Sequence, residues 1–274
     1  MTPDRTGRWR RGLLGVAALA ALLAMPSPAP RPVVPPAAAA AATASAATVP
    51  SAAPTARVAP SAAPIIPTGI SAAETEAAAR AEADAVAEAA ADRRAGVPGA
   101  AVPAAGTGIL VAVPGAAPAP APGPSRTVRV EVEGGLPVDA PAFAEFVTAT
   151  LNDPRGWGQG LGATFARTDG AADVVVVLAS PRTSEELCRP LVTEGIVSCR
   201  AGNRAVITYM RWVAGAPDYG RDRTGYRQYV INHEVGHVFG NVHVNCPGPG
   251  RPAPVMQQQT LGLQGCAPNP WPYP

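Results

Sequence analysis

The sequence predicts a single α+β domain, and three observations predict it. Residues Thr127 to Glu133, "TVRVEVE", alternate with the period of a half-buried strand. Residues Asp173 to Ser180, "DVVVVLAS", form a continuous β-branched run of the kind a strand buried on both faces shows. Between about Tyr226 and Phe239 the apolar residues Ile231, Val235, Val238 and Phe239 share one arc of a helix, leaving the other arc polar.

The elements follow in chain order. Arg5, Arg8, Arg10 and Arg11 precede the apolar run Leu13 to Met25. That is the layout of an export signal, too short for an ordinary spanning helix. Residues 1–25 are therefore read as a signal peptide, or as a signal anchor if uncleaved. Residues 26–125 are Pro/Ala/Gly-rich and are expected to be a disordered spacer. Within it, residues 71–94 are expected to form a solvated helix, because Ser71 with Glu74 makes a capping box and no apolar stripe is present. Folded sequence is expected from Arg126 to Pro274.

In that region Asp139 caps a helix running to Asn152, with Phe143, Phe146, Val147 and Leu151 on one face. Leu161 to Arg167 reads as a short strand. Ile196–Arg200 and Ala205–Thr208 read as strands joined by a turn at "AGN". Beyond Phe239 the chain carries Pro and Gly throughout and is expected to be irregular.

Charge and cysteine usage narrow the function classes. Net charge is +2, lysine is absent and the arginines are scattered, so no basic stripe for nucleic acid is present. The four cysteines are Cys188, Cys199, Cys246 and Cys266. In an exported chain they read as disulfides, with three connectivities open; short loops make Cys188–Cys199 and Cys246–Cys266 the simplest. No C-x-x-C pair supports cysteine metal ligands.

All three histidines of the chain, His233, His237 and His243, lie within "NHEVGHVFGNVH". His233 and His237 are one helical turn apart on one face. Gly240 permits the left-handed conformation that ends a helix, so His243 can return toward the same point. Three neutral imidazoles with a fourth position left open suit one catalytic Zn2+. Glu234, rotated about 100° from His233, reaches a zinc-bound water without being a ligand, which is the place of a general base. Asn232 is read as a polar residue supporting the helix. Tyr209, Tyr219, Tyr226 and Tyr229 are read as packing residues with a polar tip, with an oxyanion donor among them as the alternative; Tyr226 lies on the histidine arc and is the first candidate for that role.

His233-Glu234-x-x-His237-x-x-Gly240-x-x-His243 resembles the metzincin zinc-peptidase signature over its whole length. Met256, in "RPAPVMQQQ", sits where the metzincin resemblance implies a methionine turn beneath the metal. The sequence from Arg126 onward also resembles a domain family of unknown function, DUF3152, on "CPGPG", "PVM" and "LGLQGC". The metzincin resemblance implies a zincin-like fold: a twisted sheet with a backing helix, an active-site helix, and an irregular C-terminal subdomain with the Met-turn. It also implies a monomeric peptidase acting on protein or peptide substrate. Two departures stand out. Val244 follows the third histidine, where several subfamilies carry an acidic residue, serine or proline. Gln258 stands where some carry a zinc-contacting tyrosine, so no fifth ligand is inferred. With no cysteine before Cys188, inhibition by a cysteine switch is excluded. The expected function is a secreted or envelope-anchored zinc peptidase. Its alternatives are a non-catalytic zinc module of the envelope and a peptidase of peptidoglycan cross-links.

Overall fold

The computed structural model describes residues 71–274. Residues 1–25, read above as a signal, and the expected spacer up to residue 70 lie outside the described residues. Among the described residues no helix is long and apolar enough to cross a membrane.

The fold is mixed α+β around one six-stranded sheet. The strands are β1 (Leu110–Ala112), β2 (Ser125–Glu133), β3 (Thr164–Arg167), β4 (Val174–Ala179), β5 (Cys199–Ala201) and β6 (Arg204–Thr208). Their order is β1-β2-β4-β6-β5, with β3 paired to the first half of β2. The pairs β2·β3, β2·β4 and β4·β6 are parallel, while β1 and β5 run antiparallel to their neighbours.

Every residue of β4 is buried, which accounts for its unbroken apolar run. Val174, Val176 and Leu178 enter the main core, whereas Val175, Val177 and Ala179 meet Cys188 and Cys199 on the opposite face. The helices are α1 (Ala72–Arg94), α2 (Ala140–Leu151), α3 (Trp157–Leu161), α4 (Pro181–Cys188), α5 (Tyr209–Ala214) and α6 (Arg223–Val238). Helix α2 starts at the Asp139 cap and buries Phe143, Ala144, Val147 and Leu151 in the main core. Ile231 and Val235 of α6 join them, with Val238 and Phe239 at the margin.

The domain does not begin at Arg126. Ala95, Val97 and Val113 are buried in the main core, and β1 extends the sheet along the end of β2. Glu133, 1% exposed, accepts hydrogen bonds from the Gly106 and Gly108 N–H groups at 3.1 and 2.9 Å, and from Ser180 N–H at 2.7 Å. A stretch too poor in large apolar residues to form a core can still be pinned to the edge of another, because its backbone donors find a buried acceptor. Composition reports the first property and is silent on the second.

Helix α1 has the expected capping box and no buried residue, yet it does not stand free. Asp92 bonds Arg223 Nη2 at 2.7 Å and lies 2.9 Å from Nη2 of the fully buried Arg227, while Asp84 and Glu88 face Arg221. The helix docks by charge on the start of α6, where an apolar stripe was sought and none exists. Leu161 closes α3, with Gly162 in the left-handed conformation, so β3 starts three residues later than expected. The strand expected from Ile196 is shortened to Cys199–Ala201.

Residues beyond α6 are irregular, and side-chain amides satisfy their backbone. Gln257 Nε2 donates to the Leu263 carbonyl at 2.9 Å, Gln259 Nε2 to the Asn269 carbonyl at 2.8 Å, and Asn269 Nδ2 to the Ala253 carbonyl at 2.8 Å. Cys246–Cys266 ties the segment into a loop, and Cys188–Cys199 joins α4 to β5.

Candidate metal centre

Helix α6 carries the site because its two arcs have opposite tasks. Ile231 and Val235 face the core, and His233 and His237 emerge one turn apart on the other side. The helix ends at Phe239, and Gly240 takes a φ of +87°, a conformation that disfavours any side chain. The chain turns back and brings His243 to the same point.

The three Nε2 atoms converge. His237 Nε2 lies 3.2 Å from His233 Nε2 and 3.0 Å from His243 Nε2. Three nitrogens held about 2.0–2.1 Å from a tetrahedral zinc sit roughly 3.3 Å apart, so the spacing fits that ion.

Two of the rings have their tautomer fixed. His233 Nδ1 donates to the Val255 carbonyl at 2.8 Å, and His237 Nδ1 donates to the Asn241 carbonyl at 2.8 Å. A carbonyl only accepts, so the proton is on Nδ1 and the Nε2 lone pair is free. The facing lone pairs of His233 and His237, 3.2 Å apart, repel, and a cation between them removes the repulsion. Burial pushes His233 down to about 3, which keeps it neutral as a ligand must be.

Glu234 shares the cavity of about 210 Å³ with the three histidines, Leu191, Ser198, Cys199, Arg200 and Gln258. It is 4% exposed, and its Oε2 has no hydrogen-bond partner among the described residues. Burial raises its carboxyl to about 8.

Met256 lies beneath α6. The turn Pro254–Gln257 closes through a bond from Gln257 N–H to the Pro254 carbonyl at 2.9 Å, and the Met256 carbonyl accepts from Val244 N–H at 3.2 Å. One short turn thus supplies the Val255 carbonyl to His233 and holds the strand leaving His243.

Tyr226 is not in the cavity. It is fully buried, its hydroxyl is 3.0 Å from Thr260 Oγ1, and burial pushes the phenol up to about 12. Tyr229 donates to the Gln257 carbonyl at 2.9 Å, Tyr219 to Gln259 Oε1 at 2.8 Å and Tyr209 to the Pro137 carbonyl at 2.8 Å. All four tyrosines are packing residues with anchored tips. Gln258 lines the cavity.

Residues 96–274 match the family described as "Protein of unknown function (DUF3152)". The chain belongs to the DUF3152 family. Comparison with curated proteins and with solved structures returns no match. The match begins where burial begins, at Ala95 to Val97, so α1 precedes the DUF3152 region and docks on it from outside.

Several residues that support this DUF3152 site carried little signal in the sequence. Trp157 Nε1 donates to the Asn232 carbonyl at 2.8 Å, and Asn232 Nδ2 donates to the Pro270 carbonyl at 3.0 Å. Asn232 therefore fastens the C-terminal segment to the back of the helix, a role its position before His233 only hinted at. Val255 and Asn241 act through their carbonyls, which no sequence pattern reveals. Arg200 reaches the cavity from β5, and only the register of the sheet brings it there.

Proposed function

We propose that this domain is a secreted or envelope-associated zinc peptidase. His233, His237 and His243 would hold the metal, and Glu234 would act as general base. The observation that carries this reading is Glu234: a buried carboxyl with an unpartnered oxygen, in the same cavity as three converging imidazole nitrogens. A site that serves only to brace the fold has no use for such a group, and placing it there costs stability.

Bound zinc supplies a Lewis acid for the scissile carbonyl and lowers the pKa of water beside it. Glu234 takes one proton from the attacking water on a carboxylate oxygen and gives it to the departing amine nitrogen. The water oxygen bonds to the carbonyl carbon, the C–N bond breaks, and the second water proton is left with the acid product. Glu234 must start as the carboxylate for this step, and a dication held by the three histidines would favour that form against the burial that raises its carboxyl.

The Nδ1–H donations to Val255 and Asn241 keep the rings aimed while this occurs. Among the described residues strand β5 pairs with β6 alone, which leaves its other edge beside the cavity for an extended peptide. The histidine spacing together with a methionine turn beneath the helix supports a metzincin-like assignment. Two disulfides suit an exported protein.

A non-catalytic zinc module is the second reading, and it would gain from a C-terminal segment filling the cavity. That segment instead bonds Asn232 and Arg155 and packs its Trp271 under the Arg155 guanidinium, 4.1 Å from the ring centre. His243 stays exposed. Cleavage of peptidoglycan cross-links would use the same residues on a different peptide.

The test has two arms. Plasma mass spectrometry should find one zinc per chain in the wild type and much less in His237→Ala. A broad peptide library should be cleaved by the wild type, with Glu234→Gln keeping its zinc and losing about 10²–10⁴-fold in rate. Equal zinc in wild type and His237→Ala removes the metal site. Turnover unchanged in Glu234→Gln removes the mechanism.

A further inference from the structure

The cavity at the histidines contains one permanently cationic side chain, Arg200. It comes from the edge strand β5, and the register fixes which way it faces. Arg200 pairs with Ala205, which belongs to the core that α6 covers, whereas its neighbour Cys199 pairs with Val206 on the opposite face. Alternation along the strand therefore turns Arg200 toward α6 and the site. It lines the same cavity of about 210 Å³ as His233, Glu234, His237 and His243.

No carboxylate occupies this guanidinium. Among the described residues Arg200 has no ion pair, and its one protein hydrogen bond is long, Nη1 to the Gly202 carbonyl at 3.4 Å. Arg129, Arg204, Arg221, Arg223 and Arg227 each face an acidic partner, whereas Arg126, Arg189, Arg211 and Arg251 also have none among the described residues; what sets Arg200 apart is its place in the cavity. The remaining lining residues Leu191, Ser198, Cys199 and Gln258 are uncharged. Glu234 is the cavity's one carboxyl, and it lies on α6 with no hydrogen bond to Arg200.

We infer that Arg200 is a specificity residue that recognises an acidic side chain of the peptide, close to the bond that is cleaved. The inference rests on the peptidase reading and names its substrate class: protein segments bearing Asp or Glu. A planar guanidinium on a strand edge suits this task, because it offers two parallel N–H groups to one carboxylate. The free edge of β5 supplies backbone partners for the same peptide, so side-chain and backbone recognition come from one strand.

Binding can be measured without turnover, which separates this inference from the reaction. The probe is a series of blocked hexapeptides with glutamate at each position in turn, each paired with its glutamine counterpart. Calorimetry uses the zinc-loaded full chain carrying Glu234→Gln. One position should bind the glutamate peptide about tenfold more tightly than the glutamine peptide, the scale of one charge-assisted hydrogen bond. Adding Arg200→Gln should erase that difference, Arg200→Lys should retain part of it, and Arg200→Glu should favour arginine at the same position. Circular dichroism of the variants should match the parent, because the side chain is exposed.

A preference that survives Arg200→Gln overturns the inference, and so does a series in which no position distinguishes glutamate from glutamine. A preference lost in Arg200→Gln while the wild type cleaves nothing upholds Arg200 as a recognition residue and sinks the peptidase reading instead.

Discussion

Gly236 sits inside α6 between two metal-ligand candidates, and replacing it with alanine sets two effects of opposite sign against each other. Alanine is favoured over glycine by about 1 kcal/mol in a helix interior, so propensity alone predicts stabilisation. The packing predicts the reverse. A Cβ at Gly236 would meet Met256 Sδ at 2.5 Å and Trp157 Cζ2 at 2.6 Å. Neither neighbour is free to retreat. Trp157 is held by its Nε1 bond to the Asn232 carbonyl at 2.8 Å, and Met256 is buried in the turn whose Val255 carbonyl receives His233.

Overpacking of this kind costs about 1–3 kcal/mol, and two contacts far inside van der Waals range place it in the upper part of that span. After the gain in propensity, Gly236→Ala should lose about 1–2 kcal/mol. Relief by displacing Met256 would also move the Val255 carbonyl from His233 Nδ1. Losses of such supporting bonds typically weaken metal binding about 10–100-fold. Urea unfolding with chelator present reads the first effect, and zinc titration against a chromophoric chelator reads the second. A variant about 1 kcal/mol more stable than the parent, with unchanged zinc affinity, would refute the packing argument.

Three further outcomes follow from buried polar groups and from the cross-links. Glu133→Gln should cost about 1–3 kcal/mol in urea unfolding, because an amide donor must replace either Oε1, which accepts from the Gly106 and Gly108 N–H groups, or Oε2, which accepts from Ser180 N–H; parent-like stability would show that these bonds do not hold the segment. Burial opposes ionisation of Asp92, but bonds from Arg223 and Arg227 outweigh it and hold its carboxyl below the ordinary value of 3.8. Its contribution to stability is therefore full above that value and is lost as pH falls through the lowered one. Asp92→Asn should cost about 1.5–3 kcal/mol at neutral pH and flatten the acid limb of a stability profile, and a limb of unchanged slope would exclude Asp92 as its source. Replacing Cys246 and Cys266 together by serine opens a loop spanning a sequence separation of 20 and should cost about 3 kcal/mol, checked by unfolding with and without reductant.

What could be read from the sequence divides along a physical line. Elements specified by their own residues were legible: β4 by its β-branched run, α2 by the Asp139 cap and its apolar face, α6 by one arc of Ile231 and Val235. The histidine cluster was legible for the same reason, since eleven residues of chain contain all three histidines. Short elements whose form depends on neighbours were not. Helix α4 carried a signal that was passed over, Ser180 capping Thr183 N–H with Pro181 at the first helical position. Strand β1 carried none, because "LVA" becomes a strand only by lying on β2. The segment from Ala95 to Pro124 was misjudged for that cause as well. Its order comes from Glu133 and the sheet edge, which are far away in sequence. Docking of α1 leaves no apolar pattern in the sequence, because the contact is made by Asp84, Glu88 and Asp92.

The three histidines reach one point by two different routes, and the difference predicts which will fail first. His237 is positioned locally. Gly240 ends the helix, and Asn241 follows and returns its carbonyl to His237 Nδ1. That geometry needs only the end of α6, whereas the chain leaving His243 is tied by Val244 N–H to the Met256 carbonyl at 3.2 Å. His233 depends on a partner 22 residues away, the Val255 carbonyl, which stays in place only while the Pro254–Gln257 turn, the glutamine and asparagine network and Cys246–Cys266 hold the irregular segment. Reduction of that disulfide should therefore loosen His233 and His243 before His237. Zinc affinity should fall by about 10–100-fold while most of the circular dichroism of α6 remains. With cobalt in place of zinc, the visible spectrum should shift away from that of the oxidised protein under the same reduction. A spectrum and an affinity that survive full reduction of Cys246–Cys266 would mean that the Val255 carbonyl is held by the amide network alone.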